Sequence, residues 1–291
     1  MKKLSELDIF NRPAKPFNLE DFGGLREDEY VMNDVIMCRK CDTPRMFEHN
    51  NGRKVRCFCE CQGKARDRAE KERKRETERQ ERMGCFKSIS ILENDRFKKA
   101  RFENTETGHN PLFDNAYIRC KKYCEVSNNV LRDGLGMYIY GEASGTGKTR
   151  LAACMAHELI RQGHTVVLTN FIGISTLLRS TFGKSGIGEA DYITRLVNLD
   201  FLMIDDIGTE RVQTKDGDLW LQEKIFEILD KRHNAKKSTI FTSNNTVQSL
   251  VTERGFVNKT VDRIAGMSHA VLKIEGASYR MKARAAVELP F

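Results

Sequence analysis

Long apolar runs are missing from this 291-residue sequence: none approaches the roughly 18 residues that a bilayer-spanning helix needs. No apolar stretch follows the two lysines of the N-terminal MKKLSELDIFNRPAKPFNLEDF, as one would in a secretory signal. The expectation is therefore a cytoplasmic protein with no membrane partner. Internal repeats are lacking too, and low complexity is confined to one charged stretch. Nor is there an even set of cysteines. The nine present, in a reducing compartment, argue against a disulfide framework and for metal ligands plus buried thiols.

What is present is charge. Lysine and arginine exceed aspartate and glutamate by 8, and the pI is near 9.0. Such a balance favours nucleic acid or an acidic protein as partner, the alternative being a solvated surface that happens to be basic. The length suits one domain of roughly 150–200 residues with a smaller appendage. Composition divides the chain into a cysteine-rich part at 1–62, a charged stretch at 63–84 and a globular part at 85–291.

The charged stretch, GKARDRAEKERKRETERQERMG, has no proline and few β-branched residues, so it reads as helix. Opposite charges fall four apart in the favourable order at Asp67–Lys71, Glu70–Lys74 and Glu78–Arg82. It has no apolar stripe and cannot be a core helix. It reads as a solvated linker, or else as a basic arm against a partner. Beyond residue 136, short apolar strands at Met137–Tyr140, Val166–Thr169, Phe201–Ile204 and Thr239–Thr242 alternate with helical patterns at 148–161, 171–180, 218–232 and 247–253. That alternation predicts an α/β fold with a buried parallel sheet, closed by an edge strand at Ala270–Ile274.

The chemistry begins after the first of these strands. In GEASGTGKT (141–149) a glycine-containing turn joins a strand to an amphipathic helix, the arrangement of a P-loop. Backbone N–H groups of such a turn converge on phosphate, and the helix N-terminus adds its positive dipole end. Gly141, Ser144, Gly145, Thr146 and Gly147 are the expected loop contacts, with Arg150 just behind them. Lys148 would reach the β- and γ-phosphates of ATP, and the Thr149 hydroxyl would ligate Mg2+. The usual spacing is G-x4-G-K-[ST], whereas here Glu142 holds the first glycine's slot and the loop is one residue longer.

Two further strands complete the pattern. FLMIDDIG (201–208) ends in two carboxylates, 57 residues after Lys148. Asp205 is placed to hold the magnesium shell and Asp206 to act as the base that polarises water. STIFTSNN (238–245) ends in polar residues, of which Asn244 would meet the attacking water or the γ-phosphate. The fold expected is thus a P-loop NTPase of three layers, preceded by a small zinc-binding domain and the linker helix.

With these elements in order, the chain resembles the AAA+ ATPases of the bacterial helicase-loader group, DnaC- and DnaI-like, with IstB-like transposition helpers as near relatives. The resemblance covers residues 100–284 and is carried by GTGKTRLAA (145–153), LMIDDIGTE (202–210), IFEILDKRHNAKKSTIFTSN (225–244) and SYR (278–280). It implies a homo-oligomer with ATP between subunits. Arg263, in NKTVDRIAGM, would be the arginine donated to a neighbour's site, Arg254 being the competing candidate. Arg280 would contact the γ-phosphate within its own subunit. The resemblance also implies a single-stranded DNA contact within 170–196, where Arg179, Phe182 and Lys184 supply charge and an aromatic ring.

The N-terminal cysteines form a separate constellation. CRKC (38–41) and CFCEC (57–61) offer five thiols to a metal that needs four. Alternation along an extended strand places Cys57, Cys59 and Cys61 on one face and does not choose among them. A knuckle-like turn at the end of the run would select Cys38, Cys41, Cys59 and Cys61 for zinc, with Cys57 as the substitute. An iron–sulfur cluster is the alternative metal, and His49 an outside ligand. Cys120, Cys124 and Cys154 read as structural thiols. By resemblance, this lobe would contact a replicative DNA helicase. Three functions follow: a helicase loader, a transposition helper acting on duplex DNA, or a zinc-dependent nucleic-acid-binding adaptor with ATP as a switch.

Overall fold

The computed structural model describes residues 17–49, 53–183, 186–209 and 216–279. The chain divides into two compact units, Met1–Glu78 and Arg79–Phe291.

In the first unit, strands β1 (Glu29–Met32) and β2 (Val35–Cys38) form an antiparallel hairpin. Its two turn residues, Asn33 and Asp34, both have positive φ, 49° and 60°. Asn and Asp tolerate that region best after glycine, and the turn matches the strand twist. A second hairpin pairs β3 (Met46–Glu48) with β4 (Lys54–Arg56). Helix α1 runs from Glu60 to Gly84 and buries none of its residues, as its lack of an apolar stripe requires. It starts three residues ahead of the charged stretch. The Glu60 amide donates to Thr43 Oγ1 and the Gly63 amide to the Cys59 carbonyl, so the helix is initiated from the cysteine run.

The second unit holds the P-loop sheet. Helices α2 (Asp95–Lys98), α3 (Pro111–Glu125) and α4 (Ser127–Asp133), of which the sequence suggested only a helical face shared by Cys120 and Cys124, precede the first strand. The sheet strands are β5 (Met137–Tyr140), β6 (Val166–Thr169), β7 (Phe201–Ile207), β8 (Thr239–Ser243) and β9 (Ala270–Lys273). Between them lie α5 (Lys148–Arg161), α6 (Phe171–Arg179), α7 (Glu189–Asn198), α8 (Asp216–Asn234), α9 (Val247–Thr252) and α10 (Asn258–Met267). All pairings are parallel, in the order β6-β7-β8-β5-β9, so β9 is an edge strand beside the P-loop strand.

Successive side chains of a strand face opposite ways, and the two cores record it. Met137, Ile139, Phe201, Met203 and Ile240 pack with α3 and α5 on one face. Tyr138, Leu202, Ile204 and Phe241 pack with α6, α7, α8 and α10 on the other. Each such buried side chain contributes roughly 1.5–3 kcal/mol. Arg232 of α8 is wholly buried between the layers. Its guanidinium donates to the carbonyls of Leu196, Val197, Leu199 and Ser238 and to Thr239 Oγ1. It thereby joins the end of α7 to the start of β8. Thr169 at the end of β6, Asp205 on β7 and Ser243 on β8 are buried polar positions at the C-terminal edge of this sheet, where α/β proteins bind ligands.

Candidate nucleotide site and cysteine centre

The loop between β5 and α5 is shaped by its glycines. Gly145 and Gly147 have φ of 81° and 100°, and a Cβ at Gly147 would lie 2.6 Å from the Phe113 ring. Gly141 has a packing requirement of its own. A Cβ there would fall 1.8 Å from the Ile274 carbonyl oxygen, because the chain leaving β9 passes directly against it. The Ile274 amide donates to the Tyr140 carbonyl at 2.7 Å, which fixes that approach. Gly141 therefore lets the edge strand close on the loop. Lys148 is buried, and its Nζ donates to the carbonyls of Gly141 (2.8 Å) and Ala143 (2.9 Å), both of the loop. Thr146 Oγ1 accepts from the same ammonium at 3.3 Å.

Asp205 and Asp206 are not at a strand end, as the sequence led one to expect, but inside β7. Asp205 continues the alternation of Phe201 and Met203 and so faces α5. Its Oδ2 accepts from Thr149 Oγ1 at 3.1 Å, and the Thr242 hydroxyl donates to its Oδ1. Burial raises its pKa above the usual carboxylate range, although both hydroxyls act the other way. Alternation alone would send Asp206 to the opposite face. Instead the pairing of β7 with β8 slips between Ile204 and Ile207, and Asp206 takes a φ of 56°. A bulge of this kind re-aims one side chain, and left-handed backbone costs a non-glycine residue about 1 kcal/mol or more. Thr242 Oγ1 accepts the Asp206 amide at 2.9 Å, and Asn244 Nδ2 donates to Asp206 Oδ1 at 2.8 Å. Both carboxylates are thereby turned toward the helix that carries Lys148 and Thr149.

Asp206 and Asn244 share a cavity of about 400 Å3 with Ser144, Gly145, Thr146, Gly147, Lys148 and Thr149. The rest of its lining was not expected at the site: Arg96, Phe97, Asn104, Thr105, Glu106, Phe113 and Tyr279. Of these only Tyr279 lay in a motif already singled out, SYR (278–280). Tyr279 is held by its amide, which donates to the Gly145 carbonyl at 3.0 Å, and its ring lies 5.9 Å from that of Phe113. Arg150 lines the cavity too, but its guanidinium is committed to Asn104 and Thr105.

Arg263 and Arg254 are not among the residues that line this cavity. Arg263 lies on α10, where Nε meets Asp230 at 2.7 Å and Nη1 meets Asp262 at 3.1 Å. Arg254 follows α9 and donates to Asn245 Oδ1. Arg280 and Lys184 fall outside the described residues. Phe182 is 55% exposed, and its ring packs edge-on to Trp220 at 5.6 Å. The Arg179 guanidinium lies 4.9 Å over the same indole.

In the first unit, the ligand atoms of Cys38, Cys41, Cys59 and Cys61 all lie within 4.8 Å of one another. Sulfur–sulfur distances are 3.7 Å for Cys38–Cys61 and 3.3 Å for Cys59–Cys61. Two thiolates bound to zinc at 2.3 Å in a tetrahedron stand about 3.8 Å apart, so the set fits that ion. Cys57 is exposed and lies apart, near the Pro44 carbonyl, and His49 is exposed. The helix start at Glu60, rather than a continued strand, is what separates Cys57 from Cys59 and Cys61. The Thr43 hydroxyl, 3.0 Å from Cys41 Sγ, brings that thiol down to about 6, and the Cys59 thiol pushes Cys61 up to about 12. Buried Arg45 donates to Cys38 Sγ at 3.4 Å while paired to Asp28 and Glu29. Cys120, Cys124 and Cys154 are buried in the second unit.

Comparison with known proteins agrees with this geometry. The family model of the IstB-like ATP binding protein matches residues 65–287. The chain belongs to that family. Within this family setting it is similar to the replicative helicase loader DnaC of Escherichia coli K12, with 28% identity over 198 residues, 64% of this chain and 77% of DnaC. The DnaC of Buchnera aphidicola from Acyrthosiphon pisum is 31% identical over 166 residues, 55% of this chain and 61% of that protein. A crystal structure of the DnaC helicase loader shares the fold at a TM-score of 0.50 and 24% identity, covering 62% of this chain and all of that one. The five-stranded parallel sheet described above is thus that of a P-loop AAA+ fold. No helix among the described residues is long and apolar enough to cross a membrane.

Proposed function

We propose that this chain is an ATP-dependent helicase loader acting at the initiation of DNA replication. The observation that carries the proposal is the convergence of Lys148, Thr149, Asp206 and Asn244 on one cavity, in a chain similar to replicative helicase loaders. Ser144–Gly147 would hold the phosphates of ATP by their amides, and Lys148 would leave its loop carbonyls to meet them. Thr149 and Asp205 would hold Mg2+, which neutralises phosphate charge when bound. Asp206 would accept the proton of a water attacking the γ-phosphorus, with the β–γ bridging oxygen leaving on ADP. Asn244 fixes the orientation of that carboxylate.

The site is completed in a homo-oligomer, where Arg263 of a neighbouring copy stabilises the transition state and Arg280 acts within its own subunit. Single-stranded DNA would cross the exposed Arg179 and Phe182, which pack on the half-buried Trp220, where a cation and aromatic rings suit phosphate and base. The cysteine centre would hold zinc and order a lobe that binds a replicative DNA helicase. That lobe exposes Met32, Phe47 and Phe58, apolar side chains of the kind a protein partner covers. Such a loader works in the cytoplasm.

The match to the IstB-like family favours a second reading, a transposition helper that acts on duplex DNA. The test of the catalytic half is ATP turnover by the full chain. Lys148→Ala is expected to lose ATP binding, and Asp206→Asn to keep it while hydrolysis falls by 100-fold or more, on the order of a lost general base. Unchanged turnover in both would leave the P-loop as a binding switch only.

A further inference from the structure

Arg150 follows the phosphate loop directly, and the sequence places it with the nucleotide-binding residues. Its hydrogen bonds run elsewhere. Nη2 donates to the Asn104 carbonyl at 2.7 Å and to Asn104 Oδ1 at 2.9 Å, while Nε donates to Thr105 Oγ1 at 3.1 Å. Asn104 ends a short 3-10 turn, Phe102–Asn104, and its Oδ1 also accepts the Arg101 amide, while Thr105 Oγ1 donates to the Arg101 carbonyl. The guanidinium fork thus pins one short segment to the first turn of α5.

That segment is part of the cavity. Asn104 and Thr105 line it, together with the rings of Phe97, Phe113 and Tyr279. With the phosphates assigned to Lys148, Thr149 and Asp206, the aromatic part of the lining is the surface that suits a purine ring. We infer that Arg150 is a positioning residue for the nucleoside half of the site: it sets the Asn104–Thr105 wall against which the base is read, and is not a phosphate ligand. This rests on the ATP-binding reading given above and adds the source of its base selectivity. A lysine in its place lacks the planar fork and cannot hold Asn104 and Thr105 together.

The test is equilibrium binding of ATP, GTP and inorganic tripolyphosphate, each with Mg2+, to the full chain and to Arg150→Gln, Arg150→Lys and Thr105→Val. Arg150→Gln is expected to weaken ATP by about tenfold, the size of one well-placed polar contact. Its preference for ATP over GTP should narrow, while tripolyphosphate stays within about twofold of the parent. Thr105→Val should show the same pattern more weakly, and Arg150→Lys should not restore ATP. Retained tripolyphosphate binding also shows that the variant is folded. Equal losses for ATP and tripolyphosphate would make Arg150 a phosphate ligand and overturn the inference, as would no loss for either. A parent chain that binds tripolyphosphate and no nucleotide overturns the inference alone, and one that binds none of the three overturns the ATP-binding reading with it.

Discussion

At the scale of single residues, the nucleotide site turns on how two adjacent aspartates reach the same side of a strand. Asp205 gets there by alternation and Asp206 by a left-handed backbone inside a bulge. The identity of both residues was legible in LMIDDIG, but their geometry was not, because a bulge leaves no mark on hydrophobic periodicity. The same holds for Gly141, whose place in the motif suggested phosphate and whose neighbour is the Ile274 carbonyl. Asp205 carries a prediction. Its folded pKa lies above the unfolded value, so the folded state binds the proton more tightly. Stability from this group is full at low pH and is lost as pH rises from the unfolded carboxylate range through the folded pKa. Above its folded pKa the buried carboxylate is a net cost. Asp205→Asn is therefore expected to raise the melting temperature of the nucleotide-free chain while weakening Mg2+-dependent nucleotide binding. Calorimetry with and without Mg-ATP reads both, and a lower melting temperature without ligand would contradict the assignment.

At the scale of elements, the parallel sheet was the most legible part, since buried strands such as VVLT and FLMI are apolar on both faces. Strand and helix ends shifted by one to three residues wherever hydrogen bonds, not apolar pattern, set them: β7 runs on to Ile207 and α1 begins at Glu60. Of the helices between residues 95 and 133 only the face shared by Cys120 and Cys124 was read, because this stretch precedes the alternation that marks the sheet. With the rest of that stretch, most of the cavity's aromatic lining was missed. Edge strand β9 depends on the absence of a side chain at Gly141. Gly141→Ala puts a carbon 1.8 Å from a backbone oxygen of the neighbouring strand, and neither backbone can yield without losing the Ile274–Tyr140 hydrogen bond. The expected cost is about 3 kcal/mol, or a fall in melting temperature of roughly 10 °C. A change within about a degree would show that β9 is not anchored there.

At the scale of the whole molecule, two units carry two kinds of chemistry. The cysteine spacing narrowed the ligands to four of five, and the helix start beside Cys59 settles which thiols converge. Among its described residues the first unit buries few apolar side chains, Ile36 and Met37 among them, so a structural metal would supply much of its stability. A strong zinc chelator is expected to make Cys38, Cys41, Cys59 and Cys61 react with a thiol reagent together, while Cys120, Cys124 and Cys154 stay protected. Peptide mapping of the labelled chain reads this, and labelling of the four at equal rates with and without chelator would argue against a metal centre.

The central claim joins the units: the second binds and hydrolyses ATP, and the first presents the chain to a replicative helicase. Size-exclusion chromatography of the full chain with the replicative helicase of its own source, in Mg-ATP, tests it most directly. The claim predicts co-elution as one complex that dissociates when hydrolysis proceeds and persists with Asp206→Asn. Separate elution under all nucleotide conditions, with ATP hydrolysis intact, would contradict it.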